Sequence, residues 1–176
     1  MSTVGFSGEP VPARFNMAAY CLGPALQRPP DRLGLIVVHD VEAETTGDER
    51  WSFGELDEAV RRLAGGLLDA GVRPGERVLL RMGNTSDAAL LFFAAVAVGA
   101  VAVPTSTMLT ADEVAALIAD CRPALVVAAA ELAAAVPSGI PLRGPDDVAR
   151  WRAEAAPAEY RDTAADDPAF LVYTSG

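Results

Sequence analysis

From Ser52 to Val127 the chain repeats one pattern: a stretch with helical apolar spacing, then a short apolar run. The runs are Val78-Leu79-Leu80, Ala100-Val101-Ala102-Val103 and Leu125-Val126-Val127. Three or four residues are too few for a buried helix, and an unbroken apolar run means that both faces of the strand are covered. Strands covered on both faces and separated by helices predict an α/β fold with a largely parallel sheet flanked by helices.

The first helix of this series is predicted from Ser52-Phe53-Gly54-Glu55, whose hydroxyl and carboxylate stand at the spacing of a reciprocal cap. Leu56, Ala59, Val60, Leu63, Ala64, Leu67 and Leu68 then fall on one face, with Asp57, Glu58, Arg61 and Arg62 opposite. Asp57/Arg61 and Glu58/Arg62 are spaced for ion pairs, each about 0.3 kcal/mol when exposed. Gly71 is the natural stop. Arg73-Pro74-Gly75-Glu76 reads as a turn feeding a strand over Arg77–Arg81. A helix over 84–98, a strand over 100–103, a second capping box at Thr110/Glu113 opening a helix to about Asp120, and a strand over 125–127 follow.

The flanks are less regular. Residues 1–15 read as a mobile lead, and Asn16 caps a short helix to about Leu26. Leu35–Val38 reads as a strand that returns through an acidic loop to a partner over 50–53. Leu132 to Tyr160 reads as surface connection with a weak helix over 146–152 that places Trp151 on the core. A last strand is predicted at Ala169–Tyr173, after Asp166-Asp167-Pro168.

Composition removes several classes of function. The chain has 176 residues, enough to bury about 70% of its unfolded surface. Its net charge of -10 leaves no broad basic face for a phosphate backbone, which excludes nucleic acid as a partner. All 14 basic residues are Arg, so no Schiff-base lysine or Walker lysine is present. Cys21 and Cys121 have no second ligand at metal spacing, and Met1-Ser2-Thr3-Val4-Gly5 has no signal-like character, which points to a reduced, cytoplasmic setting. The segment Ala88–Val103 runs 16 residues without a polar side chain, short of the roughly 18–20 that a membrane-spanning helix needs. A helix buried on all sides, ended by Gly99 before a strand, accounts for it.

Motifs for dinucleotide binding, a hydrolase elbow and a P-loop are absent. His39-Asp40 has the residue types of a catalytic dyad, but neighbours on a strand point to opposite faces, and a structural role is the plainer reading. Asp146-Asp147 and Asp166-Asp167 each adjoin a proline and suit turns or helix caps better than a cation. Asn84-Thr85-Ser86 matches a glycosylation sequon and reads as a helix cap. Thr174-Ser175-Gly176 is a weak motif alone, yet two hydroxyls and a small residue are what a loop needs to present O–H and N–H donors to phosphate oxygens.

Six blocks in order carry more information: Trp51 to Asp57, Gly71 to Val78, Asn84-Thr85-Ser86, Gly99 to Pro104, Asp120-Cys121-Arg122-Pro123, and Asp167 to Gly176. Together they resemble the N-terminal part of the adenylate-forming superfamily: acyl-CoA synthetases, peptide-synthetase adenylation domains and luciferases. Phe15 to Leu22 is more similar to the acyl- and aryl-CoA ligase branch. The resemblance implies that residues 16–176 form the first part of an AMP-binding domain. It implies an ATP-dependent reaction in which a carboxylate attacks the α-phosphate to give an acyl-adenylate, followed by transfer to a thiol. Small-molecule carboxylic acid, ATP, Mg2+ and coenzyme A are then the partners of the complete enzyme, with none held tightly by this chain alone. Only Thr174, Ser175 and Gly176 carry over as site residues, at the start of an ATP phosphate loop. No residue here matches a catalytic or metal-binding position of the family. The chain is therefore expected to end inside that loop and to be inactive in isolation, with uncovered apolar surface that drives self-association. The alternative is a non-catalytic module of the same fold that binds a partner protein.

Overall fold

Helices begin in this protein where a side chain meets the free N–H groups of a first turn. The computed structural model describes residues 12–23, 29–39 and 47–174. Helix α2 (Phe53–Asp69) opens with Ser52 Oγ accepting from the Glu55 N–H at 3.3 Å, while the Glu55 carboxylate accepts from the Ser52 N–H at 2.7 Å. Helix α4 (Ala111–Cys121) repeats the reciprocal cap through Thr110 and Glu113. Thr85 caps α3 (Ser86–Ala97), and Asn16 caps α1 (Met17–Leu22). Pro145 occupies the first turn of α5 (Pro145–Glu154), where Asp147 accepts from the Gly144 N–H at 3.2 Å. The second acidic pair closes a turn through Ala164 N–H and Asp167 at 2.8 Å, so both pairs serve the backbone.

Strands β3 (Arg77–Arg81), β4 (Val101–Pro104), β5 (Leu125–Ala128) and β6 (Leu142–Arg143) form a parallel sheet in the order β4-β3-β5-β6. Strands β1 (Leu33–Val37) and β2 (Glu49–Ser52) form a separate antiparallel hairpin. Alternate residues divide the core. Val78, Leu80, Ala102, Leu125 and Val127 face α2 and α3, whereas Leu79, Val103, Val126 and Ala128 face α4. This is the predicted fold class, with β3 at its centre.

Four local expectations change. Glu58 pairs with Arg62 at 2.5 Å as predicted, but Asp57 accepts from the Tyr160 hydroxyl at 2.6 Å and Arg61 turns to the Ala158 carbonyl at 3.0 Å and to Glu159. The segment crossing α2 at 155–160 outbids the helix's own pair. Residues 132–160 are more than surface connection: a 3-10 turn (Ala130–Ala135), β6 and α5 lie there, and Val148 and Trp151 are buried. Trp151 packs where Gly66 has no side chain. Helix α3 is not buried all round, because Phe92 and Phe93 are only partly buried on one side. No helix among the described residues is long and apolar enough to cross a membrane.

The fourth change is the expected last strand. Ala169–Tyr173 makes one parallel bridge, Phe170 beside Ala102, with Ala102 N–H donating to the Ala169 carbonyl at 3.1 Å and Leu171 N–H to the Ala102 carbonyl at 2.9 Å. The next donor on that edge of β4 falls at Pro104, which has no N–H, so the ladder stops. Phe170 and Val172 remain about half exposed.

Asn16 also joins distant parts of the chain. Its amide nitrogen donates to the carbonyls of Val96, Ala97 and Arg161 at 3.0, 3.2 and 3.0 Å. Phe15 N–H adds a bond to the Thr163 carbonyl at 2.9 Å. The lead predicted over 1–15 is described only from residue 12, and the end of the first predicted helix at Leu26 lies outside the described residues.

Candidate functional site at the strand ends

Parallel sheets gather ligands at the carboxyl ends of their strands. Here β3, β4 and β5 end together at Arg81, Pro104 and Ala128. Thr105 stays on the rim because its N–H and hydroxyl both donate to the Leu80 carbonyl, at 3.0 and 3.1 Å. The loop beyond it is held from beneath. Arg81, only 2% exposed, donates from Nη1 to the Ser106 carbonyl at 2.9 Å and from Nη2 to the Leu109 carbonyl at 2.8 Å. Its Nε is buried without a partner among the described residues. Among the described residues the guanidinium is met only by carbonyls, and a charge without a counterion is costly in a protein interior.

The loop, α4 and the final segment enclose a cavity of about 490 Å³, lined by Thr105, Leu109, Leu117, Asp120, Tyr173 and Thr174 among others. Cavities of similar size lie beside Trp151 and between α1 and α2, away from the strand ends. Across the rim, the Tyr173 hydroxyl donates to Asp120 at 2.5 Å. That bond, more than partial burial, pushes the Tyr173 phenol up from its ordinary range. Beneath it, burial raises the Cys121 thiol, which keeps it protonated near neutrality.

Of the predicted phosphate-loop residues, Thr174 lines this cavity, and Ser175 and Gly176 lie outside the described residues. Sequence reasoning missed Arg81 and Asp120. The signal for Arg81 was present: it follows the apolar run Val78-Leu79-Leu80 directly and falls on the same face as the buried Leu79. Asp120 had a weaker one, as an acid in the last turn of a helix, where the dipole disfavours it.

His39 takes no part in this rim. Its Nε2 lies 2.9 Å from Glu49, which also accepts from Trp51 Nε1 at 3.0 Å. Chiefly the Ser86 hydroxyl, then Trp51 and His39, hold the Glu49 carboxyl below its usual range. Asp40 lies outside the described residues. Among the described residues, no three His, Cys, Asp or Glu side chains are grouped to hold a metal.

A family model described as AMP-binding enzyme matches residues 25–176. The chain is 32% identical over 147 residues to the long-chain-fatty-acid–CoA ligase FadD13 of Mycobacterium tuberculosis, covering 76% of this chain and 29% of that protein. Its fold matches a benzoate CoA ligase from Burkholderia xenovorans with a TM-score of 0.73 at 30% identity, over 89% of this chain and 32% of that one. It also matches the N-terminal domain of FACL13 from Mycobacterium tuberculosis with a TM-score of 0.77 at 27% identity, over 90% and 41% respectively. The chain thus spans less than a third of the ligase relative it matches in sequence. By the family match and by fold, this chain belongs to the AMP-binding enzymes.

Proposed function

We propose that this chain supplies the first part of the AMP-binding domain, residues 16–176, of an ATP-dependent, AMP-forming acid–thiol ligase. The carrying observation is that Thr174 leaves the sheet beside the cavity at the carboxyl ends of its strands. The whole protein joins a small-molecule carboxylic acid to coenzyme A through an acyl-adenylate, with Mg2+, in the cytoplasm. ATP supplies the phosphorus centre at which the acid is activated. Thr174, Ser175 and Gly176 begin the loop that cradles its phosphates, with hydroxyl and backbone N–H donors and no bulky side chain in the way. Arg81 fixes the loop 105–109 beside them, and the apolar wall of Leu109 and Leu117 keeps water from that side of the rim.

Alone, the chain catalyses no turnover and holds no nucleotide tightly: it has no lysine, and its net charge of -10 repels ATP. Its exposed strip Phe170–Tyr173 drives self-association when uncovered.

The test is acid-dependent exchange of pyrophosphate into ATP. It is run on the chain alone and on a chimera in which the chain replaces the matching segment of the Burkholderia xenovorans benzoate CoA ligase. Exchange by the chimera and none by the chain is the expected result. A folded chimera without exchange removes the phosphate-loop assignment, and exchange by the chain alone removes the statement that it is inactive.

A further inference from the structure

We infer that Asp120 is a positioning residue for the loop that begins at Thr174, acting as a latch on Tyr173; as a statement about ATP, this rests on the phosphate-loop reading above.

Backbone pairing of the final segment ends at Leu171, because the edge of β4 offers Pro104 where the next donor is needed. Among the described residues, no backbone hydrogen bond holds Val172, Tyr173 or Thr174. Two side chains fix the segment from opposite faces. Phe170 meets Phe92 of α3 with ring centroids 5.7 Å apart, and three residues later Tyr173 reaches α4 through Asp120. The first contact lies before the ladder ends and the second after it. The direction in which Thr174 leaves the sheet is therefore set by the Tyr173–Asp120 bond.

Asp120 is also electrostatically misplaced as a helix residue. It sits one residue before the end of α4, where the carbonyl end of the dipole repels a carboxylate. Helix α4 needs nothing from it, because its end is closed by Arg77, which donates from Nε to the Cys121 carbonyl at 2.6 Å and from Nη2 to the Arg122 carbonyl at 2.9 Å. Arg122 itself closes the helix in the left-handed conformation, at φ 44°. With the helix end otherwise satisfied, the Asp120 carboxylate is available to Tyr173. Both side chains of the pair line the cavity that Thr174 lines.

The latch is tested in the 176-residue chain by NMR backbone order parameters for residues 170–174, in wild type and in Asp120→Ala, Tyr173→Phe and the double variant. The wild-type Tyr173 and Thr174 amides are expected near the rigid value of about 0.85, falling below about 0.6 in each variant, with Phe170 unchanged. The double variant is expected to be no looser than either single one, since one bond is removed in all three. Asp120→Asn, which keeps an acceptor, restores order. Order at 173–174 that survives both single variants overturns the latch.

The functional half is read in the chimera. Asp120→Ala is expected to raise KM for ATP at least threefold while KM for the acid stays level, and Asp120→Asn to recover most of it. Equal changes in both constants, or none, overturn positioning of the phosphate loop. A wild-type chimera without exchange defeats the ligase reading instead, and the order parameters still decide the latch.

Discussion

Gly66 sits inside α2, where alanine is favoured over glycine by about 1 kcal/mol. Gly66→Ala is nevertheless expected to destabilise the protein. An added Cβ would fall 2.5 Å from Trp151 Cδ2 and 2.6 Å from its Cβ, and closer still to its Cγ. Rotating the indole cannot relieve a clash with its own Cβ, so α5 must move or Trp151 must leave a site where it is only 7% exposed. The neighbouring Gly65 blocks retreat, because its Cα lies against the Ala156 carbonyl so closely that a Cβ there would overlap it. Displacing a buried tryptophan costs about 3–5 kcal/mol, as truncation to alanine does. Less the helix gain, the net is about 2–4 kcal/mol, or roughly 5–15 °C in Tm for a chain of this size. Urea unfolding followed by circular dichroism and tryptophan fluorescence measures it. In a Trp151→Gly background, which removes the Trp151 Cβ as well as the indole, the same substitution should become neutral or stabilising by up to about 1 kcal/mol, because only the helix propensity remains. If Gly66→Ala proves as stable as wild type with Trp151 in place, the close-packing argument fails.

Arg81→Leu orphans the carbonyls of Ser106 and Leu109, at a cost of about 1–3 kcal/mol. Hydrogen-exchange mass spectrometry should show faster exchange confined to 105–110, and unchanged exchange there counts against Arg81 as the strut of the rim. The Tyr160 phenol is pushed up first by burial and then by its bond to Asp57. The neutral form is the one the fold favours, so this stability is full below the unfolded value of about 10 and is lost as pH rises toward the folded one. Tyr160→Phe should flatten that alkaline fall in unfolding free energy, and an unaltered slope would rule the group out as its source. Val172, half exposed beyond the end of the ladder, should drive association of the isolated chain, so Val172→Lys should lower the apparent mass in sedimentation. Identical sedimentation of the two proteins removes that strip from the interface.

What was legible in the sequence was local. Ser52/Glu55 and Thr110/Glu113 close their caps within four residues, so spacing alone revealed both helix starts. The apolar runs of β3, β4 and β5 were legible because both faces are buried, which leaves no alternative pattern. Where partners are distant, sequence was silent. Asp57 chose Tyr160, 103 residues away, over Arg61, and Leu142–Arg143 is a strand only because β5 runs beside it. The final strand was misjudged for a related reason: its own residues suit a sheet, but its length is set by a proline on the neighbouring strand. The rim was half legible. Thr174 was named from its motif, whereas Arg81 and Asp120 act through loops and segments far from them in the chain.

The bonds of Asn16 impose a timetable. Its amide waits for carbonyls 80, 81 and 145 residues downstream, so the contact cannot close until Arg161 has been synthesised. Asn16 therefore leaves the ribosome long before the last of its partners and is fully fastened only after that partner has followed. Until then the groove between α3 and residues 161–163 stays open, and its closing joins segments about 145 residues apart into one body.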